Sequence, residues 1–292
     1  ATAINRPSEP CSARAAAAQV AMEDAAIQWA RALRALELAR PGDRAARFDA
    51  LLELGLAHLG ADAIEPAYSA IVAAIDLAIE LDDPDRIGRA AAAANVEGVW
   101  FAGEIGLVSV DMVGALERAL GALPPEPTPQ RALALGALAE NCYWQRSVDE
   151  LDRISAEAVA AARATGDRAV LGRSLSKRDQ ALWWASTLEL RAEAPDGMLA
   201  VVEEGARAAD PLPLEIEAVA LFGAAGVSWE RAEVRAAESR VRRARALAGQ
   251  IGSPALITLR GAVEGAEAVY AVRDDGVGFD MRHAAKLFGV FQ

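Results

Sequence analysis

The chain has 292 residues, of which 53% are hydrophobic and only 5% aromatic, and about 70 are alanine. Alanine favours helices over strands, so the composition excludes a largely β-sheet fold, and the apolar fraction argues against disorder. The formal net charge of −12 disfavours direct binding to nucleic acid or to an anionic membrane surface.

The cysteine content and the hydropathy pattern indicate a cytoplasmic protein. Cys11 and Cys142 are too few for a disulfide framework or a cysteine-rich metal site. No uncharged apolar run reaches the roughly 18 residues that a membrane-spanning helix needs. Neither feature implies a cofactor.

Helical periodicity dominates most of the chain. Residues 1–11 are polar and contain two prolines, which predicts a flexible leader. From Ser12 to about Gly252, apolar residues recur at spacings of three and four, which predicts helices almost throughout. Clusters of Gly, Pro and Asp predict helix boundaries at residues 41–43, 82–84, 124–127, 166–167 and 210–213.

Three of these helices begin with a recognisable N-cap. Asp83 precedes Pro84, and Thr128 precedes another proline. Ser147 followed by Glu150 is a capping-box pattern.

A repeat of about 42 residues runs through the helical region. The stretch from 51 to 84 has small and large residues at the packing positions of a tetratricopeptide-type helical hairpin, and a second copy follows two periods later. The first set is Leu51, Gly55, Ala67, Ile71 and Ala74, and the second is Leu135, Ala139, Leu151, Ser155 and Ala158. Further steps of 42 from Ala139 reach Ala181 and Gly223. We therefore expect four to five stacked hairpins, with close helix crossings at the small residues.

The pattern changes after Pro254. Residues 255–279 alternate apolar and polar side chains and are rich in β-branched types, which predicts two strands around a turn near Gly265. The predicted fold is an all-α, right-handed α-solenoid of tetratricopeptide-like hairpins with a short C-terminal β-hairpin plus helix segment. Its predicted divisions are a leader (1–11), a helical repeat domain (12–253) and a C-terminal segment (254–292).

Aromatic couplets are the main candidate binding residues. They recur with the repeat, 43 and 40 residues apart, near the end of the first helix of successive hairpins. Neighbouring residues on a helix point about 100° apart, so one ring can pack inward while the other faces a concave groove. Packing between hairpins is the alternative role for either ring. The couplets are Trp100 with Phe101, Tyr143 with Trp144, and Trp183 with Trp184.

Other reactive residue types are isolated. His58 has no second ligand nearby in sequence, and Cys142 has no partner base, so we expect a core or rim histidine and a buried small apolar residue. No Gly-x-Ser-x-Gly nucleophile elbow occurs. The arginine-rich segment 231–245 is interleaved with glutamates, which predicts solvated pairs four residues apart, with contact to an acidic partner or a phosphate as the alternative.

Residues 23–250 resemble the helical-repeat region of actinobacterial ATP-dependent LuxR-type or maltose-regulator-type transcriptional regulators. The resemblance lies in segments 32–47, 74–91, 138–171 and 180–184. It implies a sensor or protein-binding arm that takes a protein, peptide or small effector in a concave groove. The sequence has no phosphate-binding Gly-x-x-x-x-Gly-Lys motif, and homo-oligomerisation stays open.

Residues 255–292 resemble a truncated piece of the ATP-binding domain of GHKL sensor histidine kinases. The likeness rests on VRDDGVGFDM followed by KLFGVFQ. It implies that Asp274 reads adenine and that Gly276 and Gly278 approach the nucleotide, with ATP and Mg²⁺ needed only in a complete kinase domain. Magnesium ligands and the second glycine box are missing. We therefore expect a non-catalytic binding module, with a kinase fragment carrying a helical-repeat input module as the alternative.

Overall fold

A computed structural model describes residues 9–61, 63–94, 109–251, 257–264 and 267–274. Its body is all-α, as predicted, and a short 3₁₀ turn at Ala185–Thr187 precedes the ninth helix. In the described ranges the helices are α1 (Glu9–Ala39), α2 (Arg44–Gly60), α3 (Ile64–Glu80), α4 (Pro84–Ala93), α5 (Val110–Ala122), α6 (Pro129–Asn141), α7 (Val148–Thr165), α8 (Arg168–Ala181), α9 (Leu188–Arg207), α10 (Leu214–Glu230) and α11 (Val234–Ile251).

Two strands follow the helices. β1 (Ile257–Glu264) and β2 (Glu267–Asp274) pair antiparallel, from Ile257 opposite Asp274 to Glu264 opposite Glu267. The helix segment predicted after them lies outside the described residues.

Helix boundaries occur at all five predicted breaks, and the predicted caps are present, but helices also end at Gly60, Asn141, Ala181 and Glu230, where no break was predicted. The Asp83 carboxylate accepts a hydrogen bond from the Arg86 N–H at 3.1 Å. At α7 the Ser147 hydroxyl accepts from the Glu150 N–H at 3.3 Å, while the Glu150 carboxylate accepts from the Ser147 N–H at 3.2 Å. Each such cap satisfies a backbone donor that the helix leaves open and contributes about 1 kcal/mol.

The N-terminal boundary differs from the prediction. α1 begins at Glu9, so residues 9–11 of the expected leader are helical. Residues 1–8 lie outside the described part of the chain. None of the described helices has the length and apolar character required to cross a bilayer.

The helices pack in chain order and form two rows. Each helix contacts the next one along the chain. Row A consists of α2, α4, α6, α8 and α10, which also contact one another in succession. The alternate helices α3, α5, α7, α9 and α11 form row B, where α3 packs on α5.

Close helix crossing explains the small residues of the repeat. A Cβ atom on Gly55 would lie only 2.7 Å from Cγ1 of Ile71, so α2 and α3 approach more closely than a side chain at this position allows. Ala67, Ile71 and Ala74 are fully buried against this crossing. The packing role predicted for these residues is confirmed.

Side-chain contacts between hairpins follow the same period. Arg118 donates to the Asp76 carboxylate at 2.6 Å, across a separation of 42 residues. Arg231 pairs with Glu189 across the same separation, and so does Arg168 with Asp210. These contacts match the predicted repeat length, although exposed pairs of this kind contribute little stability.

The arginine-rich segment pairs differently from the prediction. Only Arg242 with Glu238 forms the expected contact between residues four apart among the described side chains, at 3.7 Å. Arg243 pairs with Glu217, and Arg240 donates to the Ala224 carbonyl at 3.0 Å, so both reach across to α10. The sequence spacing missed these partners because they come from a neighbouring helix.

Candidate functional site: an aromatic cluster beside a cleft

The structure brings two of the three aromatic couplets together. Tyr143 and Trp144 lie in the turn between α6 and α7, and Trp183 and Trp184 lie in the turn between α8 and α9. Because α6 and α8 are successive helices of row A, equivalent turns lie side by side. Trp100 and Phe101, the third couplet, lie outside the described residues.

The residues of the kinase-like motif lie at or beyond the end of the described part of the chain. Asp274 is the last residue of β2, and only its backbone is described. Gly276 and Gly278 lie outside the described residues. The nucleotide-reading role therefore stays a prediction.

The rings of Tyr143, Trp144 and Trp184 form one cluster. Tyr143 stacks on Trp184 with ring centroids 4.8 Å apart and an interplanar angle of 17°. Trp144 meets both rings edge-on, at 4.8 Å from Tyr143 and 6.1 Å from Trp184. Offset stacks and edge contacts are the favourable geometries of aromatic pairs. The cluster therefore fixes the two turns against each other.

The two members of the first couplet have different environments. Tyr143 is only 6% exposed, and its hydroxyl donates a hydrogen bond to the Trp183 carbonyl. Burial raises the pKa of that hydroxyl to about 12, with Arg191 opposing the shift. Trp144 is 41% exposed. One ring of the couplet is therefore buried and the other accessible, although both residues lie in a turn and not, as predicted from the sequence, in a helix.

Trp183 faces the opposite side of its turn and holds a buried arginine. The Arg191 guanidinium lies 4.4 Å from the centroid of the Trp183 ring and is only 1% exposed. It pairs with Glu230 of α10, and its Nε lies 3.8 Å from the Asp179 carboxylate. One tryptophan face and two carboxylates thus enclose this cation.

Asp179 is the carboxylate with the weakest contact to Arg191 in this group. Its Oδ1 makes no hydrogen bond within the described structure. Burial raises the pKa of its carboxyl to about 7, although Arg191 pulls it down and Glu230 pushes it further up. A Cβ on Gly223 would lie 2.5 Å from Asp179 Oδ2, so the glycine of α10 provides the space for this carboxyl.

A second buried ion pair joins α6 to α8. Lys177 Nζ lies 2.8 Å from Glu140 Oε2 and donates to Gln180 Oε1 at 3.0 Å. All three side chains are buried. Burial raises the pKa of the Glu140 carboxyl, and the Lys177 ammonium opposes that shift.

An open cleft of about 680 Å³ lies between the two turns that carry the aromatic cluster. Its apolar wall comes from Val148 at the start of α7 and from Leu188 and Leu190 at the start of α9. Asp149 and Glu189 are its two charged lining residues, and both are acids. A cleft of this size can hold a side chain or a short segment of a partner.

The residues singled out as isolated behave as expected. Cys142 is fully buried and unpaired, and burial raises the pKa of its thiol to about 11. Such a thiol is a poor nucleophile at neutral pH. His58 is half-buried at the end of α2. No group of three or more metal-ligating side chains occurs among the described residues.

The polar face of α8 was missed by sequence reasoning. Ser174, Lys177, Asp179 and Gln180 are buried although each belongs to a type that is usually exposed. One available signal was Lys177, which is the only lysine in the helical region. Another signal was Asp179, which lies forty residues after Ala139 and is polar where the earlier position is apolar. The same separation of forty residues relates Tyr143 to Trp183.

Comparison with solved structures identifies a protein of similar fold. The chain is similar to the crystal structure of BtubC (BKLC) from P. vanneervenii, with a TM-score of 0.54 and 15% identity. The match covers 85% of this chain and 98% of that one. At this identity the similarity shows the fold alone. No family model and no curated protein matches the chain.

Proposed function

We propose that this chain is a non-catalytic binding module that takes a segment of a protein or peptide at the cleft beside Trp144. The observation that carries the proposal is the convergence of two aromatic couplets, which leaves Trp144 accessible on the turn that leads into Val148 and Asp149 of the cleft wall. Exposed aromatic residues held rigidly by neighbours are frequent anchors of protein interfaces.

We infer that the scaffold is a right-handed α-solenoid of tetratricopeptide-like hairpins. Contacts along the described helices run between neighbours, which is how stacked repeats are stabilised. Row A is in continuous contact from α2 to α10, whereas in row B only α3 and α5 pack closely among the described residues. Since the inner layer of a curved stack is the more crowded one, row A belongs to the concave side.

The packing role of the cluster does not account for all of its rings. Tyr143 is buried and hydrogen-bonded, as a packing residue should be. Trp144 adds a large apolar surface that stays in water. An accessible aromatic ring of this kind favours a bound partner.

The resemblance to regulator sensor arms supports the same role. In that setting the module would bind a protein, peptide or small effector in the cytoplasm and pass the signal to other domains. The unpaired thiol of Cys142 is compatible with a reducing compartment.

A peptide selection tests this function. Random peptides displayed on phage are selected on the full chain, and the affinities of the recovered peptides are measured by fluorescence polarisation. Trp144→Ala is expected to weaken binding by roughly tenfold or more, because anchor residues contribute over about 1.4 kcal/mol. Trp29→Ala, on α1 and 36% exposed, is the matched control and should leave the affinity unchanged. Failure to recover any binder, or equal losses in both variants, would refute the proposal.

A further inference from the structure

The cleft beside the aromatic cluster has a local excess of negative charge. Asp149 and Glu189 line it, and no arginine or lysine does so in the part of the chain that the structure describes. Asp149 is exposed and forms no ion pair within the described structure. Glu189 pairs with Arg231, and its side chain remains 78% exposed.

The basic residues near the cleft are already compensated. Arg231 is surrounded by Glu189, Glu233 and Asp196, which together hold its pKa above its usual range, with the hydrogen bond to Glu189 as the largest cause. Arg146, in the turn that carries Trp144, pairs with Glu117 at 2.6 Å and with Glu150 at 3.3 Å. Neither arginine is therefore left over to attract an acidic partner.

An accessible tryptophan beside carboxylates is a favourable environment for a cation. The electron-rich face of the ring attracts a guanidinium or ammonium group, and the carboxylates supply charge and hydrogen-bond acceptors. The same combination encloses a cation inside this molecule, where Arg191 lies against the Trp183 ring and pairs with Asp179 and Glu230. The same chemical groups are available at the open cleft, where Asp149 and Glu189 line the wall and Trp144 and Trp184 lie on the two turns that lead into it.

From these contacts we propose that the cleft between the α6–α7 and α8–α9 turns binds an arginine side chain from a basic segment of a partner polypeptide. The apolar wall of Val148, Leu188 and Leu190 covers the aliphatic part of that side chain. The guanidinium then lies between the Trp144 ring and the two carboxylates. This inference rests on the proposed function and defines the chemistry of the partner.

Three labelled peptides of equal length test the inference on the full chain. They alternate serine with arginine, with glutamate or with leucine, and their affinities are measured by fluorescence polarisation at low and high salt. We expect the arginine peptide to bind most tightly and to weaken with salt, since the carboxylates are exposed. Asp149→Asn with Glu189→Gln should reduce its affinity roughly tenfold, the effect of losing about 1.4 kcal/mol of charge interaction.

A charge-matched variant separates the cleft from the overall charge of the chain. Glu23→Gln with Asp24→Asn removes two exposed acids from α1 and should change the affinity by less than about twofold. Equal weakening in the two double variants would show non-specific attraction to a negative protein and overturn the inference. Tighter Trp144-dependent binding of the leucine or glutamate peptide would overturn the inference while leaving the proposed function in place. Absence of binding by all three peptides, together with a failed phage selection, would overturn both.

Discussion

Removal of one partner of the buried pair between α6 and α8 is expected to destabilise the helical region strongly. Lys177→Met leaves the fully buried Glu140 carboxylate without its cation and leaves Gln180 without its donor. Breaking a buried pair on one side costs about 3–5 kcal/mol, because an uncompensated charge or an extra proton must be accommodated. That is a large part of the stability of an ordinary domain.

The companion variant distinguishes the lost pair from lost packing. Glu140→Met together with Lys177→Met replaces both charges by apolar groups, and such replacements are often neutral or stabilising. We therefore expect the double variant to recover most of the stability lost in the single one. Urea unfolding of the full chain, followed by far-UV circular dichroism, gives the free energies.

An exposed pair provides the control for this experiment. Arg118 and Asp76 also connect successive hairpins, but both side chains are about half-exposed. Arg118→Met should cost less than about 1 kcal/mol. The reasoning fails if Lys177→Met costs no more than Arg118→Met, or if the double variant is as unstable as Lys177→Met alone.

Three further outcomes follow from the structure. Folding raises the pKa of Asp179 from 3.8 to about 7, so the folded state holds this proton more tightly than the unfolded state does. The free energy of unfolding should therefore fall by up to about 4 kcal/mol as the pH rises from about 4 to about 7, and Asp179→Asn should remove this pH dependence in urea unfolding. The same pH dependence in both proteins would contradict the raised pKa. Gly55→Val should destabilise the protein by about 1–3 kcal/mol, because the larger side chain forces α2 away from α3. Gly121→Ala, which points into open space on α5, should stabilise the protein slightly. Equal effects of the two variants in thermal unfolding would argue against a close crossing of α2 and α3. Addition of Mg-ATP should leave the melting temperature unchanged. A stabilisation of about 1.4 kcal/mol at an ATP concentration tenfold above the Kd would favour the kinase-fragment alternative, provided that Asp274→Ala abolishes it.

The parts of the fold that were predictable are those set by local chemistry. The Gly, Pro and Asp clusters mark helix ends because they change the backbone preference where they occur, and the Ser147–Glu150 box is complete within four residues. The packing role of Gly55 was predictable because a small residue at a fixed offset from Ile71 is typical of a position where two helices cross closely. Such features need no knowledge of distant partners.

The buried charges could not be predicted in the same way. Lys177 and Asp179 look in sequence like ordinary residues of a solvated helix face. Their burial is decided by α6 and α10, which bring Glu140, Gly223 and neighbouring side chains over α8. A single sequence does not show which helices pack over α8, so it does not show which of its polar residues are buried.

The candidate site was partly predictable for a related reason. The 40-residue separation of Tyr143 and Trp183 indicates equivalent positions in successive repeats, and equivalent positions lie side by side in a stack. The acidic lining of the cleft was not anticipated, because Asp149 and Glu189 lie beyond the couplets, at the starts of the next helices.

Hydrogen exchange of the full chain with and without the arginine peptide tests the central claim most directly. Bound peptide should slow exchange in residues 142–149 and 184–190, the two turns that flank the cleft, and Trp144→Ala should abolish that protection. Protection confined to α1 or to the strands, or protection that persists in Trp144→Ala, would show that the partner binds elsewhere and contradict the account.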